Sequence, residues 1–105
     1  MSKDKSSKPC KFWEDELERL DGENVQIITS GGTFVGQLAY DEEDCIVRLA
    51  PSAAGLLPAT VSVPEIEGIT DLSSLSSEEF ESFLLGLSGD GGFLNFFPPT
   101  TTLFF

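Results

Sequence analysis

The chain has 105 residues, 40% of them hydrophobic, which is enough for one small domain with a compact core. Eighteen acidic residues against six basic ones give a formal net charge of −12, and the sequence contains no histidine and only two cysteines. This composition excludes histidine-based catalysis and disfavours partners that carry a phosphate backbone.

Composition divides the chain into four segments. Residues 1–8 form a basic arm that we expect to be flexible, 9–72 a helix followed by a barrel, 73–89 an amphipathic helix, and 90–105 an apolar, Phe-rich arm. The first eleven residues carry four lysines against one aspartate, so about −15 falls on the remainder. We therefore expect no binding of nucleic acid or membranes.

Targeting signals give a simple expectation. The N-terminal residues lack the apolar core of a signal peptide, and no apolar run is long enough to span a bilayer. We expect the protein to be made in the cytoplasm and either to stay there or to leave by an unusual route.

The first predicted helix covers residues 9–21. Pro9 is suited to the first position of a helix, and Gly22 to a left-handed stop after it. Three apolar residues recur at i, i+4 and i+7 beside a run of acidic residues; they are Trp13, Leu17 and Leu20. We expect Trp13 to cover the open end of a barrel, and an anchor for another subunit is the alternative.

From residue 24 onward the hydrophobic period changes to two, which is typical of strands. Strands are predicted over 24–29, 33–40, 45–50, 60–63 and 66–72. Pro64, which cannot donate a ladder hydrogen bond, separates the last two.

Two glycine positions indicate how the backbone runs. Gly31 and Gly32 fall between the first two strands, where a tight hairpin tolerates glycine best. Gly36 lies in mid-strand on the same face as Phe34 and Leu38. A glycine there predicts a sharp bend or a close backbone approach, as in a small barrel.

The second predicted helix has a clear start. Ser76 followed by Glu79 forms a capping box, and Gly89 marks the end. The apolar stripe between them has helical spacing; it consists of Phe80, Phe83, Leu84 and Leu87.

The C-terminal arm holds five of the nine phenylalanines within residues 93–105, and Gly89–Gly92 precedes it as a flexible joint. Either the arm buries its aromatic residues in another subunit, or it folds back to complete its own domain. We favour the first, in which case truncation after Gly92 should leave a folded domain that assembles poorly. The candidate assembly residues are Cys10, Trp13, Phe93, Phe96, Phe97, Leu103, Phe104 and Phe105.

The remaining candidate sites favour no chemistry. Cys10 and Cys45 are too far apart in sequence for a metal knuckle, and reduced thiols are the simplest expectation. A link between subunits through Cys10 is one alternative, and a disulfide within the chain is possible but not indicated by the sequence. The run Asp41–Asp44 lacks the alternating ligands of a calcium loop and is typical of a solvated hairpin tip. We predict no enzyme activity, no catalytic residues, no cofactor and no metal.

Residues 20–49 resemble the first motif of the Sm-like family of small β-barrels. The matching residues lie at the helix exit, on three strands and in the turn between the last two: Leu20, Gly22, Val25, Ile27, Gly32, Phe34, Gly36, Leu38, Asp41, Ile46, Val47 and Leu49. A weaker match over residues 61–69 is similar to the tight connection between the fourth and fifth strands of that family.

The resemblance implies a mainly β fold, a strongly bent five-stranded barrel with an N-terminal helix and an added C-terminal amphipathic helix. RNA-binding members carry a polar residue, usually asparagine, after the turn aspartate and a basic residue before the second-motif glycine. Here those positions hold Glu42 and Glu67, which argues against RNA.

Residues 25–35 and the Val-Pro-x-Ile join at Val63–Ile66 are similar to the corresponding parts of small Sm-like proteins of spore-forming Gram-positive bacteria, some of them associated with the spore coat. That similarity implies a self-assembling structural protein that forms rings or filaments through edge strands and terminal arms, at a spore surface or in an extracellular fibre. Its expected partners are copies of itself and other coat or surface proteins. The alternative is an Sm-like binding module that docks a protein partner or, less favoured, RNA.

Overall fold

The computed structural model describes residues 11–89 and 92–97. In chain order the elements are α1 (Glu14–Leu20), β1 (Asn24–Thr29), β2 (Gly32–Asp41), β3 (Ile46–Ala50), β4 (Ala59–Ser62), a 3-10 turn (Val63–Glu65), β5 (Ile66–Asp71) and α2 (Ser77–Ser88). All five strands belong to one antiparallel sheet in the order β4-β3-β2-β1-β5. The predicted mainly β fold, with one helix before the strands and one after them in the chain, is therefore confirmed.

The long strand β2 carries the bend of the sheet. Its first part pairs with β1 as far as Gln37, and from Gln37 onward it pairs with β3. A Cβ atom on Gly36 would lie 2.8 Å from the carbonyl oxygen of Ala50, which no ordinary Cβ contact allows. The close backbone approach predicted from this mid-strand glycine is confirmed, and it lets β3 cross β2 where the strand changes partner.

Boundaries differ from the predicted ones by one or a few residues. The third strand begins at Ile46, because Cys45 adopts a left-handed conformation with φ of 60° and closes the preceding turn. A turn at Trp13 interrupts the first predicted helix, so that α1 begins at Glu14, and Gly22 has the expected left-handed φ of 88°.

One face of the sheet encloses the inner core, in which α1 packs against residues from every strand. Its buried members are Leu17, Leu20, Val25, Ile27, Leu38, Val47, Leu49, Val61, Val63 and Ile66. The alternation of buried and exposed residues along β1 puts Ile28 on the other face, as its period of two predicts.

The opposite face carries an outer cluster covered by α2 and by the segment Phe93–Phe97, which we call the C-terminal segment. Its buried members are Val35, Leu56, Leu72, Phe80, Leu84 and Phe96. The start of α2 is fixed as predicted, since Ser76 and Glu79 make both bonds of a capping box. In the two described stretches, no helix is long and apolar enough to cross a lipid bilayer.

Candidate functional site

The outer edge of β4 is open. In an antiparallel ladder, residues that exchange both backbone bonds with the neighbour alternate with residues whose N–H and C=O point away from it. The N–H of Val63 donates to the carbonyl of Cys45 at 3.0 Å. With the observed register, this bond implies that the N–H and C=O groups of Thr60 and Ser62 point away from β3. No other strand among the described residues pairs with these groups.

Within residues 11–89 and 92–97, no strand pairs with the outer edge of β5 either. The N–H of Leu72 donates to the carbonyl of Asn24 at 2.9 Å, which fixes the alternation along β5. The backbone groups of Ile69 and Asp71 consequently point away from β1. Because β4 and β5 occupy opposite ends of the strand order, the described part of the chain presents two different edges.

A third open edge, along the first half of β2, is covered within the chain. The bond from the N–H of Leu38 to the carbonyl of Glu23 sets the alternation so that Thr33 and Val35 point away from β1. Since β3 pairs only from Gln37 onward, it does not reach these groups. The C-terminal segment meets them instead, and the N–H of Thr33 donates to the carbonyl of Phe93 at 2.9 Å.

The side chain of Asn95 completes this cover. Its Oδ1 accepts from the N–H of Val35 at 2.9 Å, and its Nδ2 donates to the carbonyls of Val35 at 2.9 Å and of Leu57 at 2.8 Å. Asn95 is only 3% exposed. A buried amide with three such bonds replaces a missing strand neighbour, because it offers the same donor and acceptor that a backbone peptide would.

Backbone bonds fasten the segment to the loop after β3. The N–H of Leu57 donates to the carbonyl of Asn95 at 2.9 Å, and the N–H of Phe97 donates to the carbonyl of Gly55 at 2.7 Å. Phe96 is buried in the outer cluster. We call the cleft between the first half of β2, the loop 53–57 and α2 the segment groove.

The segment also explains Gly32. A Cβ at this position would lie 2.8 Å from the Cβ and Cδ2 atoms of Phe93, and the φ of 147° is strained for any other residue. The hairpin turn already favours glycine at this position. Its second role is to admit the C-terminal segment.

The candidate assembly residues of the C-terminal arm therefore fall into three groups: buried, exposed, and outside the described residues. Phe96 is buried against its own chain, in the arrangement of the fold-back alternative, and its packing in a neighbouring subunit stays a prediction. Phe93 and Phe97 remain 57% and 75% exposed. Leu103, Phe104 and Phe105 lie outside the described residues.

Trp13 packs against the inner core rather than standing free. It is partly buried, and its Nε1–H donates to the carbonyl of Ile66 at 3.3 Å. This contact joins the start of α1 to the start of β5, and the covering of a barrel end by Trp13 stays a prediction. The exposed neighbour Phe12 stacks edge-on against the indole at 5.4 Å.

The cysteine prediction needs a correction. Cys45 takes part in a disulfide, so the expected reduced thiol is wrong at this position. Cys10, predicted to link subunits, lies outside the described residues, and residues 11–89 and 92–97 contain no cysteine other than Cys45.

The turn Asp41–Asp44 is held by its own first residue. The carboxylate of Asp41 accepts from the N–H of Asp44 at 3.2 Å and pairs with Arg48 at 3.2 Å. The pKa of Asp41 is lowered, first by the hydrogen bond from the N–H of Asp44 and then by Arg48. This use of its oxygens fits the solvated hairpin tip that the sequence predicts.

Acidic groups gather near this turn. Oxygens of Glu14, Glu18 and Glu42 lie within 4.8 Å of one another on a largely exposed surface. The pKa of Tyr40 is raised by burial and by these carboxylates. Exposed carboxylates alone do not make a site.

A small cavity of about 170 Å³ lies at the start of α2, lined by Asn24, Ser52, Ala53, Leu75, Ser76, Ser77, Phe80 and Glu81. The Oδ1 of Asn24 is buried there without a hydrogen bond. The carbonyl of Asn24 is satisfied by the N–H of Leu72, so only the side-chain oxygen lacks a donor.

Sequence reasoning missed Asn95 and the open half of β2. The available signal was a single polar residue inside the apolar run FLNFF, since a polar side chain among aromatic residues is buried only where it finds hydrogen bonds. Comparisons with protein-family models, with curated proteins and with solved structures give no match.

Proposed function

We propose that the protein is an Sm-like structural subunit that self-assembles into rings or filaments through its two open sheet edges and its terminal arms. The observation that carries the proposal is the pair of edges on β4 and β5, at opposite ends of one sheet, that no described residue pairs with. The connection between these strands is a single 3-10 turn, Val63–Glu65, which agrees with the tight connection of the resembled family.

Antiparallel addition of one subunit's β4 to the next subunit's β5 would satisfy the outward groups of both. Such a contact joins two different surfaces, so it repeats from subunit to subunit. It closes into a ring if the rotation between subunits allows, and otherwise grows as a filament. The β4 sequence ATVS holds no charge or proline, the devices that normally protect an edge strand.

The edge contact is short, which is why arms are part of the proposal. Thr60 and Ser62 offer four outward backbone groups. At about 1 kcal/mol net for each hydrogen bond, roughly 4 kcal/mol results. Association costs about 4–15 kcal/mol in lost freedom, so the edge needs added apolar contact.

Surface charge sets the condition for assembly. A net charge of −12 on each subunit opposes close packing. Screening by salt shortens this repulsion, and we expect larger assemblies at 0.5 M than at 0.02 M salt.

Replacing Thr60 with proline tests the edge contact. Proline removes an outward N–H while leaving the bonds between β3 and β4 in place, because Thr60 does not donate to β3. Sedimentation velocity should show the assembled form lost in Thr60→Pro and kept in the matched control Thr60→Val. Equal assembly of both variants would refute the edge contact, and a discrete monomer of the unaltered chain at all concentrations would favour the binding-module alternative.

A further inference from the structure

We infer that the segment groove is an exchangeable binding site that takes the C-terminal segment of a second copy of this chain. The inference deepens the proposed function, because it names how the C-terminal arm joins subunits, but it stands on a different surface from the β4 and β5 edges.

The groove recognises a short apolar peptide with a central asparagine. Three backbone bonds hold the segment, at Thr33, Leu57 and Phe97, and the amide of Asn95 adds three more. Phe96 supplies the apolar anchor in the outer cluster. This is strand addition to an open edge, with main-chain bonds for affinity and side-chain positions for specificity.

Every partner of these bonds lies far from the segment in sequence. Val35 is 60 residues away and Leu57 is 38 away from Asn95. The same bonds can therefore form whether the segment comes from its own chain or from another, which is the condition for exchange of an identical element between subunits.

The glycine-rich connection between α2 and the C-terminal segment would suit a chain that leads the segment either into its own groove or into that of a second copy. Its sequence is Gly-Asp-Gly-Gly over residues 89–92. Gly89 has a right-handed φ of −87° and room for a Cβ, and a Cβ on Gly92 would meet nothing within 4 Å. Packing in one chain thus requires glycine at neither position, whereas glycine suits a connection that changes direction.

The exposed aromatic residues beside the groove fit the same arrangement. Phe93 and Phe97 flank the buried part of the segment, and Leu57 on the loop is also exposed. In one isolated chain these three side chains leave apolar surface in water. We propose that the second domain of an exchanged pair covers part of this surface.

Complementation between two full-length variants tests the inference. Asn95→Ala leaves an intact groove with a defective segment, and Gly32→Ala leaves an intact segment with an obstructed groove, because its Cβ would collide with Phe93. Both chains also carry Thr60→Pro, so assembly through the β4 edge cannot produce the signal. Gly31→Ala is the hairpin control, since its Cβ would come no closer than 3.8 Å to Thr29.

Each variant alone should sediment as a monomer with a rapidly exchanging Val35 amide. A one-to-one mixture should give a heterodimer of twice the monomer mass. In that mixture, hydrogen exchange of the Val35 amide in the isotope-labelled Asn95→Ala chain should slow at least tenfold. Asn95→Ala mixed with Gly31→Ala, whose own groove stays filled, should give much less heterodimer. A mixture that equals the sum of its parts overturns the inference.

A synthetic peptide of residues 92–97 provides a second measurement if Gly32→Ala does not fold. It should restore protection of the Val35 amide in the Asn95→Ala chain, whereas the same peptide with alanine for asparagine should not. Failure of the intact peptide overturns the inference. Because neither measurement depends on the β4 edge, loss of exchange and loss of edge assembly are seen separately.

Discussion

Replacing Asn95 with alanine removes three hydrogen bonds from a site that is only 3% exposed. At about 1 kcal/mol for each net bond the free energy of unfolding should fall by about 3 kcal/mol. The loss has an upper limit, because the segment can leave the groove and allow water to reach the backbone of Val35 and the carbonyl of Leu57. The cost then equals the free energy with which the segment docks.

Urea unfolding followed by circular dichroism measures this loss. Asn24→Ala is the matched control, since Asn24 is the other asparagine of the chain and its side-chain oxygen accepts no hydrogen bond. It should change the free energy of unfolding by less than about 0.5 kcal/mol. Amide exchange should also quicken at Val35 and Leu57 in Asn95→Ala alone. A loss below about 0.5 kcal/mol, with both amides still protected, would refute the role given to Asn95.

Three further predictions concern the barrel, the disulfide and the acidic turn. Gly36→Ala should lower the free energy of unfolding by about 1–3 kcal/mol, because its Cβ would meet backbone at 2.8 Å, while Gly31→Ala should be nearly neutral; equal urea midpoints would contradict the close approach. Reduction of the disulfide at Cys45 should cost about 2–4 kcal/mol of stability, and a reductant should have no effect on Cys45→Ser, which calorimetry with and without reductant checks. The lowered pKa of Asp41 means that its contribution is present above the unfolded value of about 3.9 and is lost as pH falls through the lower folded value. Asp41→Asn should therefore flatten the pH dependence of the thermal midpoint below pH 4, and an unchanged acid limb would contradict the bond from Asp44.

The strands and helices were predictable because each follows from local rules. A hydrophobic period of two marked β1, glycine in mid-strand marked the bend of β2, and Ser76 with Glu79 marked the start of α2. These signals act over a few residues, so the sequence alone shows them.

The candidate site was predictable only in part, because it depends on contacts across the whole chain. Sequence composition showed an apolar arm but not which aromatic residues it buries. Whether the arm packs on its own chain or on a neighbour depends on the open edge along the first half of β2. This edge exists only because β3 pairs with β2 from Gln37 onward. The disulfide at Cys45 was missed for the same reason, since spacing does not reveal which sulfur atoms meet.

The central claim is that this chain assembles with itself, and native mass measurement of the unaltered full-length protein at 0.15 M salt tests it most directly. Over a concentration series from about 1 to 100 µM, the account predicts ring-sized multiples of the 11.4 kDa chain or polymers that grow with concentration. Negative-stain microscopy of the same samples should show rings or filaments. A single 11.4 kDa species throughout the series, in low and high salt alike, would contradict it.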